Sequence, residues 1–145
     1  MTSPRVSFYS LADEARGDRF QLVCRLVERI YPTGLRSYIL VAAAHEAQHL
    51  DRLLWTYREE SFIPHGIKGQ TDAEATPVLI GHDADPGDRR PVLINLAPAV
   101  PAGLDRLERL CEAVDHDPEI RTAARERYRY YRGLGLTLDH HEIRL

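Results

Sequence analysis

The run Ser-Tyr-Ile-Leu-Val-Ala at 37–42 is apolar at nearly every position. A strand wetted on one side alternates apolar and polar residues, and a strand covered on both sides does not. This run therefore predicts a central strand buried on both faces, and the flanking segments agree. Residues 6–11 alternate as a strand, with Val6 and Phe8 against Ser7 and Tyr9. Residues 18–31 place Phe20, Val23, Val27 and Ile30 at helical spacing, and Pro32 and Gly34 end that helix. A second helix is predicted from Ala44 to Tyr57, with Ala47, Leu50 and Leu54 on one stripe. Residues 58–75 lack a period and read as a loop, with room for a short strand near Phe62. Pro77–Ile80 and Pro91–Leu96 are short apolar strands, joined by GHDADPGDRR as an exposed turn or longer hairpin. Leu104, Leu107, Leu110, Cys111 and Val114 are spaced as on a helix. A last helix starts at Pro118, is stopped by Gly133 and Gly135, and closes the chain. Strands alternating with helices predict an α/β fold: a three-layer sandwich with a largely parallel central sheet, one domain over 1–145.

The last helix carries the most unusual chemistry. On an ideal helical wheel Arg121, Arg125, Arg129, Arg132 and Tyr128 share an arc of roughly 100°. Ile120, Ala123, Ala124, Tyr130 and Tyr131 lie on the opposite, packing side. Arg127 falls in the middle of that side, where it is expected to snorkel or to meet a carboxylate. Residues 118–135 hold five arginines and two glutamates, a net of +3, in a chain whose net charge is −3. Two readings are open. A charged helix face is commonly just solvated. Alternatively, arginine forks beside an aromatic ring make an anion-binding surface for an acidic peptide or nucleic acid.

Other classes are narrowed by composition and motif. At 43% hydrophobic and 28% charged, the chain has the balance of a globular protein. No apolar run approaches the ~20 residues of a membrane span, and the N-terminus lacks the apolar core of a signal peptide. Cys24 and Cys111 sit among Leu and Val, as buried reduced thiols of a cytoplasmic protein would. Negative net charge disfavours broad duplex binding. No phosphate-binding glycine loop and no G-x-S-x-G are present. His45-Glu46-Ala47-Gln48-His49 matches H-E-x-x-H, the zinc-hydrolase pattern, with Glu59, Glu60 or His65 as candidate third ligands. The competing reading is two surface histidines, because both lie off the Ala47/Leu50/Leu54 stripe. His82, Asp83, Asp85 and Asp88 make an acidic turn whose spacing is not that of an EF-hand loop. His140 and His141 read as exposed. Phe62 and Ile63 interrupt a polar connection just after Trp55, either tucked onto the core or exposed for a partner.

Taken in order, Phe8-Tyr9, Leu50-Asp51, Leu54-Trp55, Glu60-Ser61-Phe62-Ile63-Pro64-His65, Val92-Leu93-Ile94-Asn95-Leu96, Ala124-Arg125-Glu126-Arg127-Tyr128-Arg129 and Tyr131-Arg132 resemble one known family. It is the chi subunit of bacterial DNA polymerase III holoenzyme, and the likeness spans nearly the whole chain. The resemblance implies a Rossmann-like fold without nucleotide chemistry, no catalytic residues, no metal and no cofactor. It implies a clamp-loader adaptor that binds the acidic C-terminal tail of single-stranded DNA-binding protein, with no direct or only weak nucleic acid binding and no membrane contact. By position, the tail site would use Arg121, Arg125, Tyr128 and Arg129, and the wheel adds Arg132. The psi subunit, where present, would meet Phe62, Ile63 and Pro64. His45 and His49 lie outside the family pattern, which counts against the zinc reading; the alternatives are a zinc metallohydrolase using His45-Glu46-x-x-His49 and a direct single-stranded DNA binder.

Overall fold

The computed structural model describes residues 3–57 and 62–145. Its elements are β1 (Arg5–Leu11), α1 (Arg19–Ile30), β2 (Ser37–Leu40), α2 (Ala44–Thr56), β3 (His65–Ile67), β4 (Val78–Gly81), β5 (Val92–Asn95), β6 (Arg109–Val114), α3 (Pro118–Gly133) and β7 (Thr137–Ile143). The seven strands form one sheet in the order β3-β4-β2-β5-β6-β1-β7. Every pairing is parallel. β2 lies between β4 and β5 and is buried along its length, as its apolar run requires.

Period-two alternation sorts the core into two layers. Tyr9, Leu11, Ile39, Val41, Ile80, Ile94 and Cys111 face α1 and α2, where Leu22, Val23, Leu26, Ala47 and Leu50 meet them. Val6, Phe8, Tyr38, Leu40, Leu79, Leu93 and Leu110 face the other way, and part of that layer is closed by Ala124 and Tyr131 of α3. The three-layer α/β arrangement is as the sequence predicts.

Local chemistry sets the helix ends. Asp18 caps α1: Oδ1 accepts from Phe20 N at 3.1 Å and Gln21 N at 3.0 Å, while Gln21 Oε1 accepts from Asp18 N at 3.2 Å. Such a capping box contributes ~1 kcal/mol. At β4, Gly81 is required by close approach. A Cβ there would lie 2.9 Å from Cζ of buried Tyr38, whose hydroxyl donates to Asp83 O at 2.7 Å.

Several expectations need correction. Residues 104–114 are not a helix. Leu104–Arg106 is a single 3-10 turn, and Arg109–Val114 is β6. A strand covered on both faces shows apolar residues at any spacing, so it can imitate a helical stripe. Cys111 is therefore a strand residue, although it is buried and unpaired as expected. β4 and β5 are not a hairpin; they flank β2, and the polar segment between them crosses the sheet. The short strand expected near Phe62 lies a little later, at His65–Ile67. The chain does not end on the Arg/Tyr helix. Gly135 (φ 79°) turns it, and β7 then pairs with β1 along seven residues. Tyr130 is exposed rather than packed. Arg58–Ser61, including the candidate ligands Glu59 and Glu60, lie outside the described residues.

The polar crossing segment also hides a core residue. Arg90 is buried, and its guanidinium donates to Ser37 O, Thr76 O, Pro77 O and Ala73 O at 2.8–3.1 Å. Asp88 closes the arrangement, 2.8 Å from Arg90 Nε and 3.2 Å from Arg36. Burial alone would raise the Asp88 carboxyl, but the two guanidiniums outweigh it and hold it below its ordinary value of 3.8.

Candidate functional site

The site is built on α3. Asp117 caps the helix, accepting from Glu119 N at 2.9 Å, and Pro118 supplies a preset φ in the first turn. Ala124, Arg127 and Tyr131 form the buried stripe. Two of these three side chains are polar, and β6 explains why. Glu112 is wholly buried on the layer facing α3. Its Oε2 accepts from Arg127 Nε at 3.1 Å and from Tyr131 Oη at 2.6 Å. Asn95 Nδ2 on β5 lies 3.1 Å from its Oε1. Arg127 also donates to Pro98 O at 2.9 Å. Burial raises the Glu112 carboxyl, opposed by Arg127 and then by the Tyr131 and Asn95 hydrogen bonds. Burial, and next the neighbouring carboxylate, raise the Tyr131 phenol. The expected carboxylate partner of Arg127 is thus Glu112, and the network fixes the rotation of α3 on the sheet.

With the inner stripe fixed, the outer face follows. Arg125, Arg129 and Arg132 are exposed and make no ion pair among the described residues. Tyr128 is 38% exposed and stands edge-on to buried Phe8 of β1, with centroids 5.4 Å apart. Arg121 is half-buried and differently employed. Its Nε donates to Asp115 O at 3.1 Å, and Nη2 lies 2.8 Å from His116 Nδ1. Three unpaired guanidiniums and one half-exposed aromatic ring therefore share a surface, with Arg121 tied down at its N-terminal end. This arrangement can bind an anionic, partly apolar ligand. The part of Phe8 was not legible from periodicity, because a strand residue gives no sign of which helix crosses it. The Glu112 network did leave a signal: one acid and one base, each inside an apolar pattern.

A second exposed patch lies at the other edge of the sheet. Phe62 is 67% exposed and Trp55 52% exposed, with ring centroids 5.4 Å apart. The His65 ring lies tilted against Trp55, with centroids 4.7 Å apart. Ile63 is half-buried against the core, and Pro64 is half-buried next to it.

The H-E-x-x-H segment is employed otherwise. Glu46 Oε2 pairs with Arg19 at 3.0 Å, and Oε1 accepts from Ala42 N at 3.0 Å, just ahead of α2. His49 stands edge-on to Phe20. Both ring nitrogens of His65 face carbonyl oxygens, Ile63 O at 2.7 Å and Asp51 O at 3.0 Å. Among the described residues no group of three or more His, Cys, Asp or Glu is placed to hold a metal ion. In the acidic turn, Lys68 Nζ approaches Asp83 Oδ2 at 3.3 Å, and Asp85 Oδ1 accepts from Gly87 N at 2.9 Å. His140 and His141 stand on edge strand β7, both exposed. Burial pushes the thiols of Cys24 and Cys111 up to about 12, so neither is a nucleophile near neutral pH. No helix among the described residues is long and apolar enough to cross a membrane.

Known proteins with this fold and sequence are informative. Solved structures with similar architecture include the C-terminal domain of the DEAD-box protein Dbp5, with a TM-score of 0.60 at 16% identity, covering 97% of this chain and 91% of that one. A DEAD box protein from Methanococcus jannaschii gives 0.61 at 11% identity, covering 96% and 42%. At such identities the likeness concerns the Rossmann-like fold alone. Sequence likeness goes further. DNA polymerase III subunit chi of Pseudomonas aeruginosa is 38% identical over 139 residues, 96% of each chain. The Escherichia coli protein of the same name is 29% identical over 138 residues, 92% of this chain and 94% of that one. The family described as DNA polymerase III chi subunit, HolC, matches residues 3–139. The chain thus belongs to the chi family, a non-catalytic subunit of DNA polymerase III that serves DNA replication through protein partners.

Proposed function

We propose that the chain tethers DNA polymerase III to coated single-stranded DNA by capturing the acidic C-terminal tail of single-stranded DNA-binding protein on α3. The observation that carries this reading is the outer face of α3, where Arg125, Arg129 and Arg132 have no carboxylate partner among the described residues and stand beside half-exposed Tyr128. One guanidinium forks the terminal carboxylate and the others attract the acidic residues, with Arg121 held in reserve at the first turn. The Tyr128 ring, backed by Phe8, offers a wall for the apolar terminal side chain. Charge-assisted hydrogen bonds at ~1.5–3 kcal/mol each and one buried aromatic at ~1.5–3 kcal/mol suffice for micromolar affinity after association costs.

The second contact in this reading is psi, which links chi to the clamp loader, on Phe62, Ile63 and Pro64. The exposed Phe62 and Trp55 rings support it, because paired aromatics left in solvent are common interface anchors. The test is capture on immobilised single-stranded DNA coated with single-stranded DNA-binding protein, intact or with its acidic tail removed. Retention that requires the tail agrees with the proposal, and equal retention on both coatings contradicts it. Loss of psi co-purification in Phe62→Ala, with tail-dependent retention intact, is the expected sign of two separate surfaces.

A further inference from the structure

On the α1 side of the sheet, one corner at the β7 edge is lined by charged side chains. β6, β1 and β7 present Arg109, then Arg5, Ser7 and Tyr9, then Asp139 and His141 toward the last turn of α1. Arg29 and Ile30 of α1 overhang them, and a cavity of about 480 Å³ remains between. Arg5 Nε donates to Asp139 Oδ2 at 2.6 Å, and His141 Nε2 lies 2.8 Å from Asp139 Oδ1. His141 stacks on Tyr9 with centroids 5.0 Å apart, and Arg109 donates to the Tyr9 hydroxyl. Neither Arg29 nor Arg109 has a carboxylate partner among the described residues.

Three guanidiniums thus face one carboxylate, leaving the walls with a net charge of +2. The centre of the layer facing α1 and α2 is packed by aliphatic side chains, whereas this corner gathers charged ones. Residues that break a local rule together are characteristic of sites. The position is not inherited from the fold. Arg5 and Arg109 open their strands, whereas α/β sheets bind nucleotides beyond the carboxyl ends of strands.

We propose that this cavity is a phosphate-binding site, taking a phosphate dianion either as a small inorganic anion or as the phosphate of a nucleotide. Arg29 and Arg109 fork its oxygens, and Arg5 stands at the rim, held in place by Asp139. A dianion matches the surplus charge better than a single carboxylate does, and guanidinium forks fit phosphate oxygens bidentately. The site lies across the sheet from α3 and does not depend on peptide capture there.

Calorimetric titration of the whole chain with pyrophosphate and, separately, with dAMP tests this. The variants are Arg29→Ala, the Arg29→Ala/Arg109→Ala pair, and Arg52→Ala on the exposed side of α2 as a control. Saturable binding is expected for wild type and Arg52→Ala, at least tenfold weaker in Arg29→Ala and lost in the pair. Arg29 is exposed, so its variant reports on binding even if the pair is destabilised. Preference for pyrophosphate would identify an inorganic anion, and preference for dAMP a nucleotide. Absence of saturable binding for both anions, or binding indifferent to Arg29→Ala, would overturn the proposal.

Discussion

Glu112 and Arg127 form an ion pair that water does not reach, which makes its net worth small and the loss of either half costly. Removing Glu112 alone strands a guanidinium in the core, a cost of ~3–5 kcal/mol. Chemical denaturation of Glu112→Leu should show a loss of this size, and the pair Glu112→Leu/Arg127→Met should recover most of it. No recovery would mean that the two residues act independently. Asp88 gives a prediction of a different kind. Its carboxyl stays ionised to lower pH in the folded chain than in the unfolded one. Unfolding therefore takes up a proton there. Its stabilisation is complete above the ordinary value of 3.8 and is lost as pH falls through the depressed folded value. Asp88→Asn should cost ~1 kcal/mol at pH 7, given the partial exposure of the group, and should flatten the acid limb of the stability profile. An unchanged acid limb would assign the acid sensitivity to other carboxylates, Asp139 first, whose carboxyl is also held low.

At the scale of elements, α3 carries the account, and much of it was legible in advance. Its start at Pro118, the inward place of Arg127 and the outward arginines follow from 3.6-residue periodicity. Its last packing residue did not. Tyr130 and Tyr131 are adjacent, and only Tyr131 reaches Glu112. β6 is hidden because Leu107 before it and Leu110 and Val114 within it mimic a helical stripe. β7 was missed because Thr137–Ile143 is an edge strand of mostly polar residues, with too little buried surface to leave an apolar pattern. Arg90 was read as part of a solvated turn because no local signal tells a buried arginine from an exposed one. The N-terminus of α3 offers a direct test of the element's own stability. Asp117→Ala removes its cap, and thermal melts should show ~1 kcal/mol of destabilisation. A larger loss would indicate that the whole Asp115–Pro118 connection is displaced.

At the scale of the molecule, positive charge gathers on both faces of the sheet. An acidic chain presents unpaired arginines on α3 on one side of the sheet and a basic cavity beneath α1 on the other. The exposed Trp55 and Phe62 rings stand near the β3 edge, far in strand order from β7. Three surfaces on one rigid parallel sheet suit a subunit that joins partners rather than one that performs chemistry. Peptide capture on α3 can be read by a fluorescence-polarisation titration. A labelled acidic peptide ending in Ile-Pro-Phe would be titrated with wild type and Arg125→Ala at two salt concentrations. The same peptide without its final Phe and bare single-stranded DNA would run beside it. Micromolar binding is expected that weakens with salt, falls at least tenfold in Arg125→Ala, and requires the final Phe. Failure to bind the peptide, or equal affinity for bare DNA, would contradict peptide capture on α3.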